Sequence, residues 1–222
     1  MSGADEETGD LGGATESSDD DRPGPEPAEL PEEIRAAVPE WDDEYLDRVS
    51  DRLMYNYDLE RDGRVHGERW EMYGEMRVHN QKQFFHPALN YADHEAEEYL
   101  LVRREPRPTV AELRRLVDVG HEVADERIVA DEEHFGTDVS FVLVCEELSD
   151  DVAEFVSGFR ERKLLKFGYY GHYDVNLVVV DPAAERAVAS EAADVVAAFR
   201  LWDDVAEPDE GFLSRIARRF WT

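Results

Sequence analysis

The chain has 222 residues, with 54 Asp+Glu against 24 Lys+Arg and a formal net charge of -30. That length suits one domain with a tail, and the charge disfavours unaided duplex binding, which needs clustered Lys and Arg on the phosphates. Hydrophobic residues make up 42% of the chain, so a core can form and wholesale disorder is excluded.

The first 40 residues have their own composition. Residues 1–33 hold twelve acids and a single base, Arg22, among much Gly, Ser and Pro. Such a segment buries too little apolar surface to offset chain entropy, so 1–40 is expected to be a disordered acidic tail. The opening "MSGADEETGDL" has neither the basic head nor the apolar stretch of a signal peptide. No run approaches the ~18 apolar residues that spanning a bilayer needs. A soluble, cytoplasmic protein is expected.

The globular domain is expected over 41–203. Tyr45, Val49, Leu53 and Tyr57 recur at helical steps, with Asp42 as N-cap. Asp62-Gly63 reads as a hairpin turn. Beyond it Trp70, Met72, Met76 and Val78 alternate with Glu71, Tyr73, Glu75, Arg77 and His79, as on a two-faced strand. A loop "FFHPALNYADHE" leads to the strand "EEYLLVRRE", which Pro106 and Pro108 end. Thr109 and Glu112 form a capping box before Leu113, Leu116, Val117 and Val123. "DVSFVLVCEE" reads as a buried strand, and Ser149 as the cap of a helix expected over Asp150–Lys166, ended by Gly168. "YDVNLVVVD" is a second buried strand, stopped by Pro182. A helix from about Ser190 carries Val195, Val196 and Phe199 inward. Early strands on short links should be antiparallel and later ones, crossing through helices, parallel. The expectation is an α/β or α+β fold: one mixed sheet of about five strands with packed helices.

Candidate chemistry is sparse. Cys145, the lone cysteine, permits no intramolecular disulfide and reads as a small buried hydrophobe; two following glutamates oppose a thiolate. His79, His86, His94, His121 and His134 lack the close pairing of zinc ligands, and a composite site from His86, His94 and His121 is the weaker reading. Glu71 and Glu75, on one strand face, offer a Mg²⁺ site or a solvated polar face. No cofactor is expected.

The stretch "KLLKFGYYGHYDVNLVVVD" crowds three tyrosines, a phenylalanine and a histidine around two glycines. Helix-to-strand geometry accounts for Gly168 and Gly171. The alternative is a pocket for a small ligand, in which Phe84, Phe85 and His86 meet Lys166, Tyr169, Tyr170 and His172. Residues 204–222 read as a linker and a short basic amphipathic helix. Phe212, Ile216 and Phe220 align beside Trp221, and Arg215 and Arg219 take the other side. That helix folds back on the body or touches a partner groove or a membrane surface.

Lysine is confined to Lys82, Lys163 and Lys166. Acid excess with so little lysine suits a surface bathed in salt, where screening shortens to about 3 Å at 1 M. Together with the acidic head, "FFHPALNYADHE" and Leu164–Asp181, this resembles uncharacterised proteins of halophilic archaea over residues 41–203. That resemblance implies a small cytoplasmic family without assigned chemistry. The elements from Trp41 to Glu146 are also similar to the core of the PD-(D/E)xK nucleases. That family sets an acid on one strand and (E/Q)-x-K on the next; "NQKQ", with Asn80 before Lys82, is the nearest match, and "EEYLLVRR" has no lysine. The leading expectation is a non-catalytic domain that binds a protein partner or small ligand. The alternatives are a metal-dependent hydrolase and a peripheral membrane or complex-associated protein.

Overall fold

The computed structural model describes residues 39–81 and 93–203, without the side chains of 78–81 and 93–95. The expectations for the acidic tail, for Phe84, Phe85 and His86, and for the C-terminal residues Phe212, Arg215, Ile216, Arg219, Phe220 and Trp221 lie outside the described residues.

The elements run α1 (Glu44–Leu53), β1 (Asp58–Val65), β2 (Glu68–Gln81), β3 (Asp93–Arg104), α2 (Val110–Arg127), β4 (His134–Val144), α3 (Asp150–Ser157), β5 (Glu161–Leu164), β6 (His172–Asp181), β7 (Arg186–Ala189) and a single turn, α4 (Val196–Phe199). One mixed sheet has the order β1-β2-β3-β4-β6-β5, and β7 pairs with β6. β2 runs antiparallel to both its neighbours, β1 and β3, while β3, β4 and β6 are parallel. The α/β class and the single mixed sheet are therefore as the element pattern implies. The sheet has seven strands rather than five.

Both added strands flank β6. The segment expected to be the end of a long helix is β5, antiparallel to His172–Val175. The preceding helix ends at Ser157, where the Gly158 N–H donates back to the Glu154 carbonyl, and edge pairing then outweighs local helix preference. β7 pairs antiparallel with Val178–Asp181. Between them, the Leu177 N–H donates to Ser190 Oγ (3.0 Å) and the Ser190 N–H to the Leu177 carbonyl (2.9 Å). Ser190 is thus a buried plug in the sheet edge rather than the start of a helix.

Two other local expectations shift. The N-cap of α1 is Asp43, whose carboxylate accepts from the N–H groups of Tyr45 and Leu46; Asp42 pairs with Arg61 instead. The β1–β2 turn is His66-Gly67, with φ of 49° and 78°, the left-handed pair that a type I′ two-residue hairpin uses. Asp62 has φ 59° inside β1 and falls in a gap between the pairs Arg61↔Met72 and Gly63↔Trp70. That break explains why Trp70 parts from its expected companions: it packs with α2, whereas Met72 and Met76 face α1.

The two faces bury separate cores. α2 and α3 cover Tyr99, Leu101, Phe141, Leu143, Val175 and Leu177. α1 and α4 cover Leu100, Val102, Val142, Val144, Val178 and Val180. Gly120 lets α2 lie close on the first of these, since a Cβ there would sit 2.8 Å from Val175 Cγ1. On the α1 face the apolar residues occupy the carboxyl-terminal halves of β4 and β6. The amino-terminal halves carry polar side chains.

Candidate functional site: a buried polar row opening on an edge cleft

The two central strands begin with the same pattern, Asp138-Val139-Ser140 and Asp174-Val175-Asn176, paired in register. β3 adds Glu98 beside Asp138. Alternation turns both valines to the α2 face and leaves Glu98, Asp138 and Asp174 in one row across three strands, with Ser140 and Asn176 in the next. All five are buried. Interiors retain carboxylates only where partners compensate their desolvation, and the partners are present. Ser140 Oγ donates to Glu98 (2.7 Å), and Asn176 Nδ2 donates to Asp138 (3.2 Å). Arg162 on β5 grips Asp174, with Nε 2.9 Å from Oδ1 and a terminal nitrogen 2.8 Å from Oδ2. That hydrogen-bonded pair raises the guanidinium above its ordinary value.

Tyr57, just past α1, is buried against this row and its hydroxyl makes no well-formed hydrogen bond. Burial, followed by the neighbouring Glu98 charge, raises the phenol well above its usual range. His172 lies at the outer end of the row, Nε2 3.7 Å from Asp174.

The row opens sideways into a cleft of about 280 Å³, lined by Phe159, Arg160, Arg162, Asp174, Asn176 and Glu191 among others. It exists because β5 and β7 cover β6 separately and diverge at Asn176. Its rim carries the exposed pair Arg160–Glu191 (3.0 Å). The cleft therefore presents two guanidinium groups and several carboxylates around a small volume, an arrangement suited to charge-assisted hydrogen bonds.

Of the described residues expected to wall a pocket, Lys166, Tyr169, Tyr170 and His172 do not line this cleft. Lys166 and Tyr169 are exposed at the tip of the β5–β6 hairpin. The Tyr170 carbonyl accepts from His134 Nδ1 (2.7 Å). Only His172 approaches the site. The Lys163–Gly171 segment is a hairpin bend, not a helix end, so its aromatics spread outward. Of the histidines whose spacing disfavours them as metal ligands, His121 Nδ1 meets the Tyr173 hydroxyl (3.0 Å) and His134 Nε2 accepts from Thr137 (2.9 Å). Glu71 accepts from the Arg104 N–H and Glu75 from the Tyr73 hydroxyl. Among the described residues, no group of three or more His, Cys, Asp or Glu side chains could hold a metal ion. Cys145 lies at the far end of β4, where burial pushes its thiol up to about 11.

Glu98, Asp138, Ser140, Arg162, Asp174 and Asn176 are not among the site residues expected from the sequence, and Tyr57 read only as a helical packing position, yet a signal was there. Asp-Val-Ser and Asp-Val-Asn interrupt two apolar runs at the same two-residue spacing, which places polar side chains on a face otherwise buried.

A family model described as a domain of unknown function (DUF8052) matches residues 42–201, and the chain belongs to that family. No curated protein and no solved structure matches it. No helix among the described residues is long and apolar enough to cross a membrane.

Proposed function

We propose that this domain is a non-catalytic binding module whose ligand is a small zwitterion of amino-acid size, held in the cleft between β5 and β7. The observation that carries the reading is the Arg162–Asp174 pair at the cleft wall, with Asp174 only 4% exposed. A ligand carboxylate would be met by Arg160 and Arg162, and a ligand ammonium by Asp174 and Glu191. A displaced or low-pKa nucleophile has no counterpart in the site, and Cys145 stays a thiol, so binding is favoured over covalent catalysis. The acid surplus supports a further reading, that the surface is adapted to salt in the cytoplasm of a halophilic archaeon.

The test is a panel of free amino acids and betaines, scored by thermal shift and then by calorimetry. A ligand at 100 times its Kd stabilises by about 2.7 kcal/mol, or roughly 5–10 °C for a domain of this size. Glu191→Gln, at the exposed rim, should weaken binding a few-fold without touching the core. A panel without any shift, or binding that survives the paired change Arg162→Gln with Asp174→Asn undiminished, would refute the assignment.

A further inference from the structure

The β5–β6 hairpin tip is unlike the rest of the surface. Of the five large hydrophobic side chains exposed among the described residues, three sit here: Leu164 at 64%, Phe167 at 100% and Tyr169 at 89%. The tip is also the least acidic part of the described chain. Arg160, Arg162, Lys163 and Lys166 fall within seven residues that contain one acid, Glu161, on a protein of net charge -30. Arg160, Arg162 and Lys163 are engaged with Glu191, Asp174 and Glu161. Lys166 makes no ion pair among the described residues.

The backbone gives the decisive clue. Lys166 and Phe167 hold φ of 47° and 62°, a region where Gly or Asn is comfortable and a bulky ring is an outlier. Such a conformation costs of order 1–3 kcal/mol. Phe167 gains nothing in return from packing, since it is fully exposed. The bend is nonetheless fixed by its own bonds, Leu165 N–H to the Gly171 carbonyl (3.0 Å) and Tyr169 N–H to the Lys166 carbonyl (3.2 Å). A rigid turn that spends strain to present an aromatic ring is an anchor for something outside the chain.

We infer that this tip inserts into a phospholipid surface, seating Phe167, Tyr169 and Leu164 at the headgroup–acyl boundary with Lys166 on a lipid phosphate. A convex tip needs no preformed pocket in a fluid bilayer, and the aromatic–lysine mixture is the composition that partitions to that boundary. Single-stranded nucleic acid would use the two rings for stacking but leave Leu164 without a role. Lys166, the one lysine without an ion pair among the described residues, also supplies too few phosphate contacts at this tip. The body's charge adds a signature of its own. Its repulsion from anionic lipid reaches about 10 Å at 0.1 M salt and only about 3 Å at 1 M, so binding should strengthen as salt rises, the reverse of ordinary electrostatic adsorption.

The experiment is sedimentation of the full chain with phosphatidylcholine vesicles containing about one-fifth phosphatidylglycerol, at about 0.1 and 1 M KCl. Binding is expected to be greater at the higher salt. Phe167→Asn should lower the bound fraction about tenfold while leaving the melting temperature equal or raised, because Asn relieves the turn. Phe167→Cys, labelled with an environment-sensitive dye, should shift to the blue on adding vesicles. The buried Cys145 leaves the new thiol as the reactive one. Three results each overturn the inference: no vesicle binding at either salt, binding that persists in Phe167→Asn without a dye shift, or retention of a single-stranded oligonucleotide with no retention of vesicles.

Discussion

Replacing Gly120 by alanine should reverse its sign according to one neighbour. On helix propensity alone the change is favourable by about 1 kcal/mol. In the folded protein the new methyl would lie 2.8 and 3.0 Å from the two Val175 methyls and 3.1 Å from Phe141 Cε2. Val175 and Phe141 are both fully enclosed, and a β-branched side chain in a strand has little freedom to turn away. Overpacking of that kind costs about 1–3 kcal/mol, so Gly120→Ala should destabilise by about 1 kcal/mol net. With Val175 first shortened to alanine, two of the three close contacts vanish. The same substitution should then stabilise by about 1 kcal/mol, a coupling of about 2 kcal/mol, within the span seen for touching pairs. Urea unfolding of the four proteins at one fixed salt concentration measures this, with the denaturant slope held common as a check on the native state. If Gly120→Ala changes stability by the same amount in both backgrounds, the close approach of α2 to β6 is wrong.

Two arginine-held carboxylates should contribute to the acid limb of stability. Hydrogen bonding to Arg104 lowers Asp43, and hydrogen bonding to Arg115 and then Arg103 lowers Glu68. Both are depressed carboxylates, so their stabilisation is complete above the unfolded values near 3.8 and 4.5 and is lost as pH falls through the lower folded values. Arg104→Gln should flatten the acid limb of a stability–pH curve, and an unchanged limb would contradict the pairing. Arg103→Met removes the cation that links Glu68 and Glu112 beneath Trp70. It should cost about 3 kcal/mol, measured by denaturant midpoint, whereas a loss below about 1 kcal/mol would place the cluster in the weak surface class. The Cys145 thiol should ignore a disulfide reagent at pH 8 in the native protein and react fully once unfolded, since burial and then the Asp181 charge raise it; prompt native reaction would show the β4 end to be open. Melting temperature should climb with KCl toward about 1 M as carboxylate repulsion is screened, and a flat response would leave the charge of -30 without its salt explanation.

Much of the architecture was legible because it rests on patterns local to the chain. Thr109 caps α2, and the Glu112 N–H donates to its hydroxyl at 3.2 Å. Period-two and period-3.6 apolar spacing gave β3, β4, β6, α1 and α2, and the short or helical links between strands gave their directions. What misled was also local. Glu161–Leu164 follows a helix and is rich in residues that favour one, yet it is a strand because the free edge of β6 lies beside it. Asp62-Gly63 has turn chemistry, yet the turn falls at His66-Gly67 because pairing of β1 with β2 runs on to Val65↔Glu68.

From its residues alone this chain settled a strong excess of acids over bases, two buried strands and the helices between them, since charge and hydrophobic period belong to the sequence itself. The polar row and its cleft belong to the folded molecule. Asp138 and Asp174 are thirty-six positions apart, and nothing local says that their strands are neighbours paired in this register, that Glu98 joins them, or that β5 and β7 part company at Asn176. A carboxylate becomes part of a site only when the sheet chooses its neighbours, and that choice is made by packing over distances the local pattern does not encode.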